Sequence, residues 1–212
     1  MILLPLRISA TPARPRRPSR LRPPALALLL LLATSGFASA SPTPVPPAPV
    51  AEPNLAARIP EVSTLSFSGD LVNLPSMLVG GKVAILILGF TKGARTQATL
   101  WGRRLPTDYL YSTDVLYFEM PVLESIPRVL RGAVLRAIKA DVSLRSQSHF
   151  APLTNDEKRW RSLVHFREPN DAYVLLVDSS GLVQAQLQGA PTDATYQELK
   201  RRVDQLRTSP AR

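Results

Sequence analysis

The chain of 212 residues contains no cysteine. The thiolate is the nucleophile of thiol–disulfide exchange, so the protein cannot act as a disulfide reductase. A disulfide-stapled scaffold is excluded with it, and the fold must be held by its core alone. Histidine is nearly absent too: His149 and His165 stand sixteen positions apart, without carboxylates at metal-site spacing. No Gly-x-Ser-x-Gly elbow, phosphate loop or Gly-x-Gly-x-x-Gly is present, and no cofactor motif takes their place. Asp156 and Glu157 could act as acid and base, yet capping a helix accounts for them. The aromatics do not interleave with basic residues as a nucleic-acid surface requires. Tyr109, Tyr111 and Tyr117 read as core or rim residues. An enzyme reading is left without a nucleophile.

Acidic residues are missing from residues 1–24, which carry Arg7, Arg14, Arg16, Arg17, Arg20 and Arg22. An apolar run from Ala25 to Ala33 and the small-residue exit Ala38-Ser39-Ala40 complete the layout of a secretory signal peptide over residues 1–40. The run is shorter than the roughly 20 residues that span a bilayer. An uncleaved membrane anchor is the alternative. Cleavage predicts an exported protein, periplasmic or extracellular. It also removes six arginines, leaving twenty basic against sixteen acidic side chains. The high formal charge of +10 is then mostly an address, and it gives no support for nucleic-acid binding by the folded part. Residues 41–53 hold six prolines and read as a polyproline-II spacer.

One domain is expected over residues 54–207, followed by a short disordered tail at 208–212. Val62 to Phe67 alternates imperfectly and ends at the turn signal Ser68-Gly69-Asp70, and Leu71 to Leu74 follows as its partner. Lys82 to Phe90 is a buried strand and Arg95 to Leu105 a helix burying Ala98 and Trp101. Asp114 to Phe118 is a second central strand. A long helix spans about Ile126 to Ala140, with Ser125 as cap and Pro127 in its first turn. Thr154 to Glu157 forms a capping box opening a helix with Trp160 and Val164 on one face. Tyr173 to Asp178 is a buried strand, Ser179-Ser180-Gly181 a tight turn, and Leu182 to Gln188 alternates with Val183, Ala185 and Leu187 on one side. Tyr196, Leu199, Val203 and Leu206 then fall at helical spacing. This order indicates an α/β sandwich around a mixed sheet.

Three segments carry a resemblance: Gly81-Lys82-Val83 entering the core strand, the Gly89-Phe90-Thr91 loop, and Leu176 to Gly181. The chain resembles the thioredoxin-like superfamily in its larger extracytoplasmic form, with an N-terminal hairpin and helical insertions. The resemblance implies a three-layer sandwich with a central mixed sheet. The Gly-Phe-Thr start is similar to Sco-like copper chaperones, whose two loop cysteines correspond here to Gly93 and Gln97. The copper-binding histidine of that family corresponds to Asn170, and the cis-proline of thioredoxins to Ala172. In the thioredoxin Cys-x-x-Cys register the pair falls instead at Arg95 and Ala98. Neither register retains a functional residue, so the redox and copper roles do not carry over. The Gly-Lys-Val strand, Trp101, Ala172 to Asp178 and Gly189-Ala190-Pro191 are also similar to the mitochondrial F-type ATP synthase assembly factors, which keep this fold without catalytic cysteines.

The long helix adds a surface pattern. Ile126, Val129, Leu130, Ala133, Val134, Ala137 and Ile138 form an apolar stripe expected to face the sheet. Arg128, Arg131, Arg136 and Lys139 are then expected outward, as a docking strip for an acidic partner or an anionic membrane surface. The expectation from these features is a non-catalytic exported protein, without cofactor, that binds or helps assemble other proteins at the outer face of the inner membrane. The alternatives are a redoxin-like enzyme using another group, and a small-ligand module using the former active-site cleft. In the latter, Arg95 and Gln97 at a helix N-terminus would suit an anion.

Overall fold

A computed structural model describes residues 57–208. The expected leader, the proline-rich spacer and the last four residues lie outside that range.

Seven apolar or small residues, Val83–Gly89, form β3, and six of them are buried. A strand covered on both faces must be apolar throughout, and β3 is central to a sheet of order β4-β3-β5-β6. It pairs in parallel with β4 (Val115–Pro121) and antiparallel with β5 (Tyr173–Val177), which pairs antiparallel with β6 (Val183–Gln188). A separate antiparallel hairpin joins β1 (Val62–Leu65) to β2 (Leu71–Leu74). β1 stops two residues short of Phe67, because Ser66 already turns the chain by bonding the backbone of Asp70.

The sheet separates two cores. On one face Ala84, Leu86, Leu88, Phe118, Met120 and Leu175 meet the hairpin residues Val62, Val72 and Leu74. Leu153 and the short helix α4 (Glu157–Leu163) complete that layer through Trp160 and Leu163. On the other face Val83, Ile85, Ile87, Tyr117, Val174 and Leu176 meet three helices: α1 (Arg95–Arg104), α2 (Pro106–Tyr109) and α5 (Asp193–Thr208). α5 inserts Tyr196, Leu199 and Val203.

The structure corrects four expectations. The alternation from Val183 onward is broken by a bulge, which pairs Leu176 with Ala185 but Val177 with Val183. Val183 thereby joins the hairpin-side core while Ala185 and Leu187 join the other. Gln186 is buried and donates to the Val164 carbonyl at 2.8 Å. The local capping box of α4 does not form. Its N-cap Asp156 sits in the left-handed region at φ 61 without a side-chain cap. Glu124, thirty-three residues earlier, accepts the Glu157 N–H at 2.5 Å instead, and the Glu157 carboxylate accepts the Ser125 N–H at 3.0 Å.

Two further corrections concern the long helix, α3 (Arg128–Asp141). Pro127 precedes it as N-cap with no side-chain cap, so Ser125 does not cap it. No residue of α3 is buried. The apolar stripe enters neither core: the hairpin, α4 and Leu153 complete one face of the sheet, and α1, α2 and α5 the other. Val134, Leu135 and Ile138 are half-buried, whereas Val129, Leu130, Ala133 and Ala137 are exposed.

Candidate functional site

The end of β3 and the loop into α1 form the position where this fold places reactive groups. Phe90 is buried edge-on against Phe166 and Tyr173, with ring centroids 5.0 and 5.8 Å away. Thr91 donates to the Pro169 carbonyl at 2.5 Å, and its hydroxyl accepts the N–H groups of Gly93 and Ala94. That hydroxyl takes the capping role at the entry to α1, which has no side-chain cap at Ala94.

Gly93 and Asn170 lie face to face. A Cβ on Gly93 would come within 1.9 Å of the Asn170 Oδ1. Gln97 is committed at both ends of its amide: it donates to Asp171 Oδ1 at 2.9 Å and accepts the Ala172 N–H at 3.0 Å. Asp171 also accepts from Gln188 at 2.9 Å. Trp101 donates to the Gly189 carbonyl at 2.8 Å, and the Gly189 N–H returns to Ala172. The structure thus brings Gly93, Gln97, Asn170 and Ala172 together at one seam, closed by neutral amides and one carboxylate. Arg95 points elsewhere, paired with Asp141 at 2.8 Å with both side chains well exposed. Neither Arg95 nor Gln97 is left to receive an anion. Gln97, Asp171 and the Ala172 N–H are satisfied within the seam, the exposed Asn170 amide makes no hydrogen bond, and no nucleophile is present.

One buried acid went unnoticed in the sequence. Glu119 on β4 is only 9 % exposed, and its carboxylate sits where a Cβ on Gly102 of α1 would stand, 1.6 Å from Oε1. Burial pushes its carboxyl up to about 8, against the opposing pull of Arg95 and Arg103. It is therefore a neutral acid at pH 7, wedged between strand and helix. The signal was an acidic residue inside the apolar stretch Val115 to Met120.

The two histidines are apart in role. His149 stacks on Tyr117 at 3.9 Å, and burial lowers its basicity; His165 is exposed. Among the described residues no cluster of three or more potential ligands is placed to hold a metal. Tyr109 and Tyr117 are buried, whereas Tyr111 is exposed.

The four basic residues of α3 divide. Arg128 and Arg136 are exposed and have no hydrogen bond or ion pair. Arg131 turns inward, donating to the carbonyls of Glu124 and Ile126 at 2.9 and 3.1 Å, with its Nε buried and unpartnered. Lys139 donates to the Phe67 carbonyl. The expected continuous outward strip is reduced to Arg128, Arg136 and the tethered Lys139. A cleft of about 330 Å³ opens beside Arg128 and Arg131 at the start of α3, and another of about 190 Å³ lies between β4 and the hairpin.

No family model and no curated protein matches the chain. Solved structures do. The chain is similar to BsSco, a member of the Sco family of cytochrome c oxidase assembly proteins, at 16 % identity and TM-score 0.50, covering 74 % of this chain and 96 % of that one. It is similar to a protein named as thiol:disulfide interchange protein DsbE from Chlorobium tepidum at 15 % identity and TM-score 0.51, covering 73 % and 99 %. It is likewise similar to a protein named as a disulfide isomerase from Bacteroides thetaiotaomicron at 12 % identity and TM-score 0.50, covering 74 % and 92 %. At such identities the likeness establishes the fold. The protein is a thioredoxin-like α/β sandwich with a central mixed sheet and an N-terminal hairpin. It is a cysteine-free version of that fold. Among the described residues no helix is long and apolar enough to cross a membrane.

Proposed function

We propose that this protein is a non-catalytic, exported thioredoxin-like protein that binds or helps assemble other proteins at a membrane surface. The observation that carries the reading is the state of the seam. Where relatives of this fold place reactive cysteines, Gly93 faces Asn170 and Gln97 is held by Asp171 and the Ala172 N–H. A site built for chemistry keeps its reacting groups accessible and poised, whereas here Gln97, Asp171 and the Ala172 N–H are committed to one another and only the uncharged Asn170 amide is free. The small-ligand alternative loses its support for the same reason. Assembly has a precedent on this fold in BsSco, a member of a family of cytochrome c oxidase assembly proteins, and the resemblance drawn above to the ATP synthase assembly factors would agree with it.

The test is affinity capture from the native envelope with the processed protein, followed by cross-link mapping. A defined protein partner cross-linked to this domain supports the reading. A protein that returns alone, and that turns over peroxide or binds a small anion in titration, overturns it.

A further inference from the structure

The charges of the domain are distributed unevenly. Residues 57–208 carry nineteen basic and fifteen acidic side chains. Five of the basic residues (Arg128, Arg131, Arg136, Lys139 and Arg145) lie within residues 125–146, alongside a single acid, Asp141. Everywhere else fourteen basic side chains meet fourteen acidic ones. Even with Glu119 neutral, nearly all of the excess positive charge therefore belongs to α3 and the turn that follows it. None of those five cations is paired with a carboxylate, while Asp141 is itself neutralised by Arg95.

The same stretch holds exposed apolar surface. Val129 is 89 % exposed, Leu130 54 % and Leu144 86 %. Along the outward side of α3, Val129, Ala133, Ala137 and Ala140 succeed one another at helical spacing and all are exposed. Arg128, Arg136 and Lys139 run along one flank of that row. α3 extends about 21 Å at 1.5 Å per residue. A helix apolar on its outer side is ordinarily covered, and exposed Val and Leu rimmed by arginine mark an interaction site.

We infer that the outward face of α3 is a peripheral contact for an anionic lipid surface. Two features select lipid over an acidic protein. From Val129 to Ala140 the face is a single convex helix, and the cleft of about 330 Å³ lies beside its first turn, not along the exposed row. Its layout, a shallow apolar row flanked by cations that can extend to headgroups, is that of a helix lying in the interfacial plane. The attraction is set by the unpaired cations, each adding to affinity for a negatively charged leaflet and each screened by salt. This inference rests on the membrane-surface location proposed above and adds which face meets the bilayer.

The absence of cysteine makes a local test available. Ala133→Cys on α3 and Ala194→Cys on α5, both exposed alanines in helices, each accept one environment-sensitive dye in the full chain. On adding vesicles of mixed phosphatidylglycerol and phosphatidylcholine, the dye at position 133 should brighten and shift to the blue, and the dye at 194 should not change. Pure phosphatidylcholine vesicles, or high salt, should abolish the response. Combining Arg128→Gln and Arg136→Gln with Ala133→Cys should weaken it by about tenfold or more. The inference is overturned if position 133 is silent towards anionic vesicles, or if both positions respond alike. It is equally overturned if the response ignores salt, or if polyglutamate elicits it and vesicles do not. Envelope capture with the Arg128→Gln, Arg136→Gln variant separates the two proposals: a partner retained without lipid response leaves the assembly reading standing and removes this one.

Discussion

α3 and α5 are of similar length and similarly amphipathic, yet they end in opposite situations. α5 buries Tyr196, Leu199 and Val203 against the sheet. Its charges are matched: Lys200 to Asp108 at 2.7 Å, Arg207 to Asp114 at 2.6 Å, and Arg201 and Arg202 to Glu198. The Tyr196 hydroxyl joins them, donating to Asp108 at 2.6 Å. Hydrogen bonds from Lys200 and then Tyr196 hold the Asp108 carboxyl below its usual range. α3 has no fully buried residue, only the half-buried Arg131, Val134, Leu135 and Ile138, and none of its four cations pairs with a carboxylate. Periodicity states that a helix has an apolar side; it does not state whether a layer is vacant to receive it. On the α5 side the sheet offers Val174, Leu176 and Ala185. Neither core takes a residue from α3.

The comparison breaks most sharply in the core beneath α1 and α5. Trp101 is fully buried, contacts Tyr196 with centroids 6.2 Å apart, and satisfies the Gly189 carbonyl. Trp101→Ala should cost about 3–5 kcal/mol, measured by chemical denaturation. Val129→Ser on α3 should cost less than about 0.5 kcal/mol. Comparable losses at both positions would mean α3 packs as firmly as α5.

Which parts of this were legible follows the same physics. Apolar runs such as Val83 to Gly89 and Tyr173 to Val177 leave one solution, a strand buried on both faces, and the fold follows from their order. The approach of Gly93 to Asn170 was reachable through the family likeness, because two loops at one sheet end are fixed by topology. What stayed hidden depends on contacts distant in sequence. Glu124 displaces the local cap of α4 from thirty-three residues away, and the bulge moves Val183 to the other core. The exposure of α3 depends on the other segments that fill both faces of the sheet.

Glu119 sharpens the contrast through pH. Its carboxyl is raised from an ordinary 4.5 to about 8 in the folded protein. Between those values the unfolded chain has released the proton that the folded chain retains, so stability falls as pH rises and levels off above about 8. The loss amounts to on the order of 2 kcal/mol across that window, once relaxation of buried sites is allowed for. Glu119→Gln should remove that slope, so the variant gains on the native protein steadily from pH 5 to pH 8 in parallel urea titrations. Identical pH profiles would show that the acid is solvated and that Gly102 does not seal it.

The seam should give a smaller effect. Gln97→Ala leaves the Ala172 N–H without its acceptor and removes one donor from Asp171, costing about 1–2 kcal/mol. Amide exchange at Ala172 should accelerate while that of β3 is unchanged. Gly93→Cys with Gln97→Cys tests the register separately, since Gly93 lies in the loop entering α1 and Gln97 in the first turn of that helix. Oxidation to an intramolecular disulfide is expected once Asn170 swings aside, and two persistent free thiols would reject the Sco-like alignment.

The smallest stability effect belongs to the exposed arginines of α3. Arg128 and Arg136 have no bonded partner, so their removal breaks no contact, and α3 has no acid within residues 128–140 to be left unpaired. Both side chains sit among like charges that repel weakly through water, on the scale of tenths of a kcal/mol and less as salt rises. Arg128 also lies in the first turn, where the helix dipole disfavours a cation. Arg128→Gln with Arg136→Gln should therefore leave the melting temperature unchanged or raise it by about a degree, with the gain shrinking as salt is added. The α5 counterpart, Arg207→Gln, removes the 2.6 Å pair with Asp114 and should lower it slightly. If the α3 variant proves the less stable of the two, those arginines serve the fold after all, and the difference between the two helices is one of degree.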